Sequence, residues 1–163
     1  VLITTGKAPD AVSRAIARAL WLAVPESRLE FRGKRSLSSL VSLARKKHQT
    51  RICSVYLAHG KPSSLSFLSV GDDGSWARLS PSIAVKKVVF SGTTRAGVEA
   101  KDGQSQRVAI TGAKAKPLSR LLSPANPQDR ETGSRIIAGA RTLSIFVGKK
   151  RMLSLGVAYE KEK

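Results

Sequence analysis

Val1-Leu2-Ile3-Thr4-Thr5-Gly6-Lys7-Ala8-Pro9 reads as a short buried strand, a break and a helix start, and this pattern decides the fold. Proline suits a first helical turn because its missing amide hydrogen has no partner there anyway. Val12, Ala15, Ile16, Ala19, Leu20 and Ala23 then recur at helical spacing, with Arg14 and Arg18 on another face, until Pro25 stops the run. The same grammar repeats at once. Residues 29–32 read as a second strand and Gly33 as a break. Ser36 is a candidate N-cap for a helix that turns Leu37, Leu40, Val41 and Ala44 inward. Arg45-Lys46-Lys47-His48 would close it, where cations suit the negative end of the helix dipole. Residues 51–57 supply a third strand. Strands separated by helices make the opening third a βαβαβ unit, for which parallel pairing is expected.

From residue 60 onward the pattern changes to shorter runs at residues 65–70, 76–79 and 83–90, read as antiparallel strands with Gly71-Asp72-Asp73-Gly74 as a turn. Residues 92–106 read as the crossing to a second half. There the chain begins again: Val108-Ala109-Ile110-Thr111-Gly112-Ala113-Lys114 echoes Val1 to Lys7, and Pro117 repeats Pro9. That echo suggests a duplicated half-domain. Residues 118–122 read as a brief helix and 123–133 as a loop. Residues 142–147 and 151–159 read as a strand pair turning at Gly148-Lys149-Lys150. The expectation is a single α/β domain over 1–163, with an N-terminal half at about 1–91 and a C-terminal half at about 105–163.

Charge is the strongest compositional signal. Lys and Arg number 29 against 11 Asp and Glu, a net charge of +18. Both halves are basic: residues 1–81 hold 13 cations and 5 acids, and residues 82–163 hold 16 and 6. A domain-wide excess of this kind repels itself unless a polyanion neutralises it, and nucleic acid is the usual one in a cell. A thermophile surface would mix both signs, so the shortage of acids argues against that as the whole explanation, although Asn, Cys and Met occur once each. No apolar run reaches the roughly 20 residues of a membrane helix, so a soluble, intracellular protein without a membrane partner is expected. Cys53 has no partner for an internal disulfide and reads as a small buried hydrophobe.

Few residues offer chemistry. Two histidines, His48 and His59, and one cysteine make no zinc constellation. No nucleophile motif accompanies His59. Asp72-Asp73 between glycines is what a hairpin turn requires. Gly33-Lys34-Arg35-Ser36 and Gly148-Lys149-Lys150 lack the earlier glycine of a phosphate-binding loop, and no dinucleotide fingerprint follows a strand. The expectation is therefore a protein that is not an enzyme, with no catalytic residues, no metal and no cofactor.

Basic clusters at element ends remain. The candidate RNA-binding residues are Arg32, Lys34, Arg35, Arg45, Lys46, Lys47, Lys61, Lys149, Lys150 and Arg151. Arg32 to Ser36 combines flanking cations with the free amides of a helix start, a favourable phosphate site. Lys86-Lys87 is weaker, because adjacent strand residues face opposite sides. Aromatic residues make up 5% and form no visible stacking row, so recognition is expected to lean on phosphate and shape.

Val1-Leu2-Ile3-Thr4-Thr5, then Phe31-Arg32-Gly33-Lys34-Arg35-Ser36-Leu37-Ser38-Ser39-Leu40, then Gly60-Lys61-Pro62, resemble the Brix domain of ribosome biogenesis proteins. The resemblance is strong over residues 1 to about 90 and departs around residues 123–135. It implies an α/β fold of two similar half-domains with mixed sheets, each akin to the anticodon-binding domain of class II aminoacyl-tRNA synthetases. It also implies a ribosome biogenesis factor that binds rRNA or pre-rRNA and assists its processing and subunit assembly. Partners would be other ribosome assembly proteins or guide ribonucleoproteins. A chain little larger than the domain looks like the archaeal, cytoplasmic type; eukaryotic members are nucleolar. The alternative, from the same implied fold, is a tRNA-binding anticodon-domain-like protein or tRNA-processing subunit.

Overall fold

The computed structural model describes residues 1–58, 61–91, 108–122, 134–147 and 150–160, with backbone only at 57–58, 61–63 and 150. The elements run β1 (Leu2–Thr5), α1 (Ala11–Ala23), β2 (Arg28–Leu29), α2 (Leu37–Lys46), β3 (Arg51–Ala58), β4 (Lys61–Val70) and β5 (Trp76–Phe90). They continue with β6 (Val108–Thr111), α3 (Ala115–Leu122), β7 (Ser134–Ala138), β8 (Thr142–Val147) and β9 (Lys150–Glu160). All nine strands form one mixed sheet in the order β2-β1-β3-β4-β5-β9-β8-β7-β6. The expected crossing at residues 92–106 and loop at 123–133 lie outside the described residues.

The opening βαβαβ unit stands as expected: β1 pairs in parallel with both β2 and β3. Two details differ. The second strand is only Arg28–Leu29, and the α1 cap is Asp10, whose carboxylate accepts from the Ser13 amide at 2.7 Å, with Pro9 one place outside the cap. Ser36 caps α2 by accepting from the Ser39 amide at 3.1 Å. The other end closes with His48 at φ 55, its amide bonding the Arg45 carbonyl and the Gln49 amide the Ala44 carbonyl. This paired closure satisfies carbonyls that the helix leaves open.

The runs 76–79 and 83–90 are one strand, β5. Leu79 pairs with Phe67 and Ile83 with Leu65, so residues 80–82 bulge opposite Ser66. A bulge tolerates Pro81, which has no amide to give to a ladder. Strand β7 is not among the elements that the sequence predicts. Its buried Ser134, Ile136 and Ala138 alternate with exposed Arg135 and Ile137, and the Ile136-Ile137 pair hides that alternation. Helix α3 begins at Ala115, earlier than expected, and takes Pro117 within its first turn, where no amide is needed.

The halves mirror each other in pairing sense. Along β1-β3-β4-β5 the pairs are parallel, antiparallel, antiparallel, and along β6-β7-β8-β9 the same series recurs. Antiparallel β5 and β9 join the two at the centre. Helices α1 and α3 share one face of the sheet and cross the seam. Ile16, Leu20 and Leu22 of α1 join a core containing Ile136, Leu143 and Ile145, and α1 touches β7, β8 and β9 as well as its own β1 and β3. The Ser134 hydroxyl reaches the Leu22 carbonyl at 3.5 Å. Helix α2 covers the opposite face over a smaller cluster: Leu40, Val41 and Ala44 against Leu2, Ile52, Leu68 and Val70.

Candidate nucleic-acid interface

Helix α2 carries two of the expected basic clusters at its ends. A ten-residue helix is about 15 Å long, so the clusters address different points of an extended ligand. At the N-terminal end, the local bonds sort the cations. Arg35 Nη1 donates to the Phe31 carbonyl at 3.1 Å and lies 3.7 Å from the Glu30 carboxylate, while Arg32 Nε donates to the Arg35 carbonyl at 2.9 Å. These bonds fold Arg32 and Arg35 onto their own loop. Lys34 is exposed beside Gly33, whose φ of +54 lets the chain turn there.

At the C-terminal end, Arg45 lies over the β4–β5 turn. A Cβ at Gly74 would meet Arg45 Nη1 at 3.1 Å, and Asp73 lies within its field. Bonds from the Ser75 hydroxyl and amide hold the Asp73 carboxyl below the usual range, with Arg45 adding to this. Asp72 and Asp73 thus belong to a turn, closed by the Gly74 amide on the Gly71 carbonyl at 3.0 Å. Ser42, Arg45, Lys46, His48, Thr50 and Asp72 line an open cleft between this turn and the helix end. Lys46 and Lys47 are exposed.

A second cleft, which sequence reasoning missed, lies beyond the carboxyl ends of β1 and β2, lined by Lys7, Pro9, Asp10, Arg14, Phe31 and Gly33. Two loops leaving parallel strands are the usual place for a ligand in an open α/β sheet. Lys7 and Arg14 are isolated cations in the sequence, so only the fold brings them to Phe31 and Gly33.

The remaining candidates divide. Arg151 is exposed on β9, and its Nε donates to the Ser91 hydroxyl at 2.7 Å. Lys149 and His59 lie outside the described residues, as do the side chains of Lys61 and Lys150. Lys86 and Lys87 are both exposed, and the β5–β9 register shifts between Val85 and Lys87. Among the described residues, no group of three His, Cys, Asp or Glu side chains could hold a metal ion, and no helix is long and apolar enough to cross a membrane. Cys53 is fully buried, and desolvation pushes its thiol up to about 12.

Fold and charge together define a basic α/β protein of two mirrored strand series, with exposed cations at loop and helix ends and on strands. No protein-family model matches the chain, and no curated protein matches it. Solved structures do. A probable ribosomal biogenesis protein from Aeropyrum pernix K1 superposes with a TM-score of 0.76 at 19% identity, over 99% of this chain and 96% of the other. Mil, an archaeal Imp4-like protein, superposes with a TM-score of 0.66 at 17% identity, over 99% of each chain. The chain has the fold of these proteins along its whole length, in agreement with the Brix resemblance.

Proposed function

We propose that this protein binds rRNA or pre-rRNA and assists its processing and assembly into a ribosomal subunit, without catalysing a reaction itself. The observation that carries this reading is the full-length fold likeness to a ribosomal biogenesis protein, joined to a net charge of +18. Lys34 and the exposed cations after α2 would hold phosphates, with Lys7 and Arg14 beside them. Other assembly proteins or guide ribonucleoproteins are the expected partners, in the archaeal cytoplasm. The repeated pairing series supports reading residues 1–91 and 105–163 as related half-domains akin to anticodon-binding domains. That same feature favours the second reading, a tRNA-binding protein.

The deciding experiment is retention of precursor rRNA fragments by the purified protein, with tRNA and an unrelated RNA duplex as competitors, across several salt concentrations. Selective retention of an rRNA fragment, with affinity falling steeply as salt rises, is the expected result. Preference for tRNA would install the second reading, and no binding at low salt would overturn both.

A further inference from the structure

The face of the sheet that carries α2 over β3 and β4 is left open by the described helices over β7, β8 and β9, and its side chains form an ordered set. Arg135 of β7 pairs with Phe146 of β8, which pairs with Arg151 of β9, giving a cross-strand row Arg-Phe-Arg. Arg135 Cζ lies 4.8 Å from the centroid of the Phe146 ring, within cation–π range. The bond from Arg151 to the Ser91 hydroxyl orients the second guanidinium. Beside this row the surface is low: Ser144 and Ser154 share a hydroxyl bond of 2.9 Å, and Gly156 stands between Thr142 and Lys87. A Cβ at Gly156 would come within 3.2 Å of the Lys87 Cβ, so the glycine keeps this part of the surface low. Val89 and Ile137 are exposed at the two margins of the serine row.

Charge selects the occupant. Strand register places Lys87, Arg135 and Arg151 on this face, and strands β5, β7, β8 and β9 carry one carboxylate, Glu160, at the far end of β9. An aromatic ring with one guanidinium over it and a second arginine opposite it on the next strand, beside a floor of small side chains, suits an unpaired base stacked on the ring or on a guanidinium plane, with phosphates along the flanking cations. A duplex would offer this face its backbone and leave the ring unused.

We infer that the open face of the C-terminal half is a binding site for single-stranded RNA, with Phe146 and Arg135 as the base platform and Lys87 and Arg151 as phosphate contacts. The inference rests on the RNA-binding reading above. It differs from the sequence expectation, in which recognition leaned on phosphate and shape and Arg135 and Phe146 were not among the candidate residues.

The test measures binding of a fluorescent single-stranded oligouridine and of an RNA duplex of equal length to wild type, Phe146→Ala, Phe146→Tyr and Arg135→Gln, with melting curves to establish folding. For Phe146→Ala, affinity for the single strand should fall about fivefold or more while duplex affinity holds, and Phe146→Tyr should restore it. Arg135→Gln, an exposed change that leaves the ring in place, should weaken the single strand and flatten its salt slope by about 0.7. Wild-type RNA binding with unchanged single-strand affinity in both Phe146→Ala and Arg135→Gln would overturn the inference alone and leave the face to a protein partner. Absence of any RNA binding by wild type would overturn the functional reading with it.

Discussion

The two halves repeat one series of strand pairings, yet they treat the same face of the sheet differently. In the N-terminal half the extra β2–α2 segment supplies a helix that buries Leu2, Ile52, Leu68 and Val70. Among the described residues of the C-terminal half no helix lies over the corresponding face, and Arg135, Ile137, Thr142 and Arg151 are exposed there. An inserted helix converts a sheet surface into a small second core and moves its cations to the helix ends. Without it, the strand positions themselves carry the charge.

The comparison is sharpened most by mutations in the two cores. Ile16→Ala removes a fully buried side chain from the core shared by both halves. It should cost about 2–5 kcal/mol, and urea unfolding should remain a single transition. Two separated transitions would show that α1 does not tie the halves together. Leu40→Ala should cost somewhat less within that range, because its cluster is small and local, and hydrogen exchange should quicken chiefly in α2. Uniform loss of protection would contradict the picture of α2 as a separately docked cover.

Smaller effects test the basic ends of that cover. Replacing Arg32, Lys34 and Arg35 together by Ala should weaken RNA binding and flatten the salt slope by about 0.7 to 0.9 for every phosphate that the protein no longer neutralises. Since Arg32 and Arg35 are tied to their own loop, Lys34→Ala alone should reproduce most of the change. Ser36→Ala removes the cap and should cost about 1 kcal/mol, measured by denaturant unfolding.

A last measurement concerns the shared core. Cys53 should resist thiol reagents in native protein and react in urea. Its folded thiol keeps its proton to about 12, whereas an unfolded thiol ionises lower, near its ordinary value. This contribution to stability is therefore intact below the unfolded value and declines as pH rises from there toward 12. Rapid native labelling at neutral pH would show that this core opens readily.

Much of the fold was legible because local signals agreed. Gly6, Pro9, Pro25, Gly33 and Ser36 punctuate runs whose hydrophobic period switches between strand and helix, so the βαβαβ opening followed from residues 1–57. Strand β7 was hidden by adjacent isoleucines, and β5 was divided because a bulge at residues 80–82 interrupts its alternation. The site was less legible for a different reason. Clusters contiguous in sequence, such as Arg45-Lys46-Lys47, can be seen in advance. Arg135, Phe146 and Arg151 become neighbours only through strand register, as Lys7 and Arg14 reach Phe31 only because a loop and the first turn of α1 meet the loop after β2. Contiguity does not show what each cation meets: Arg35 lies 3.7 Å from the Glu30 carboxylate, and Arg45 lies beside the Asp73 turn.

The long β5–β9 ladder has a consequence for avidity. It joins the halves through backbone pairing from Ser82 to Phe90, with one register shift between Val85 and Lys87, and α1 is clamped across the seam. The spacing between the α2 cations and the C-terminal sheet face is therefore fixed as if on a ruler. A flexible strand held at one end meets the other site as a tethered neighbour, at an effective concentration set by the intervening nucleotides. On the two proposals above, a strand too short to bridge that spacing would gain nothing from the second site, and RNA length would become something the molecule can measure.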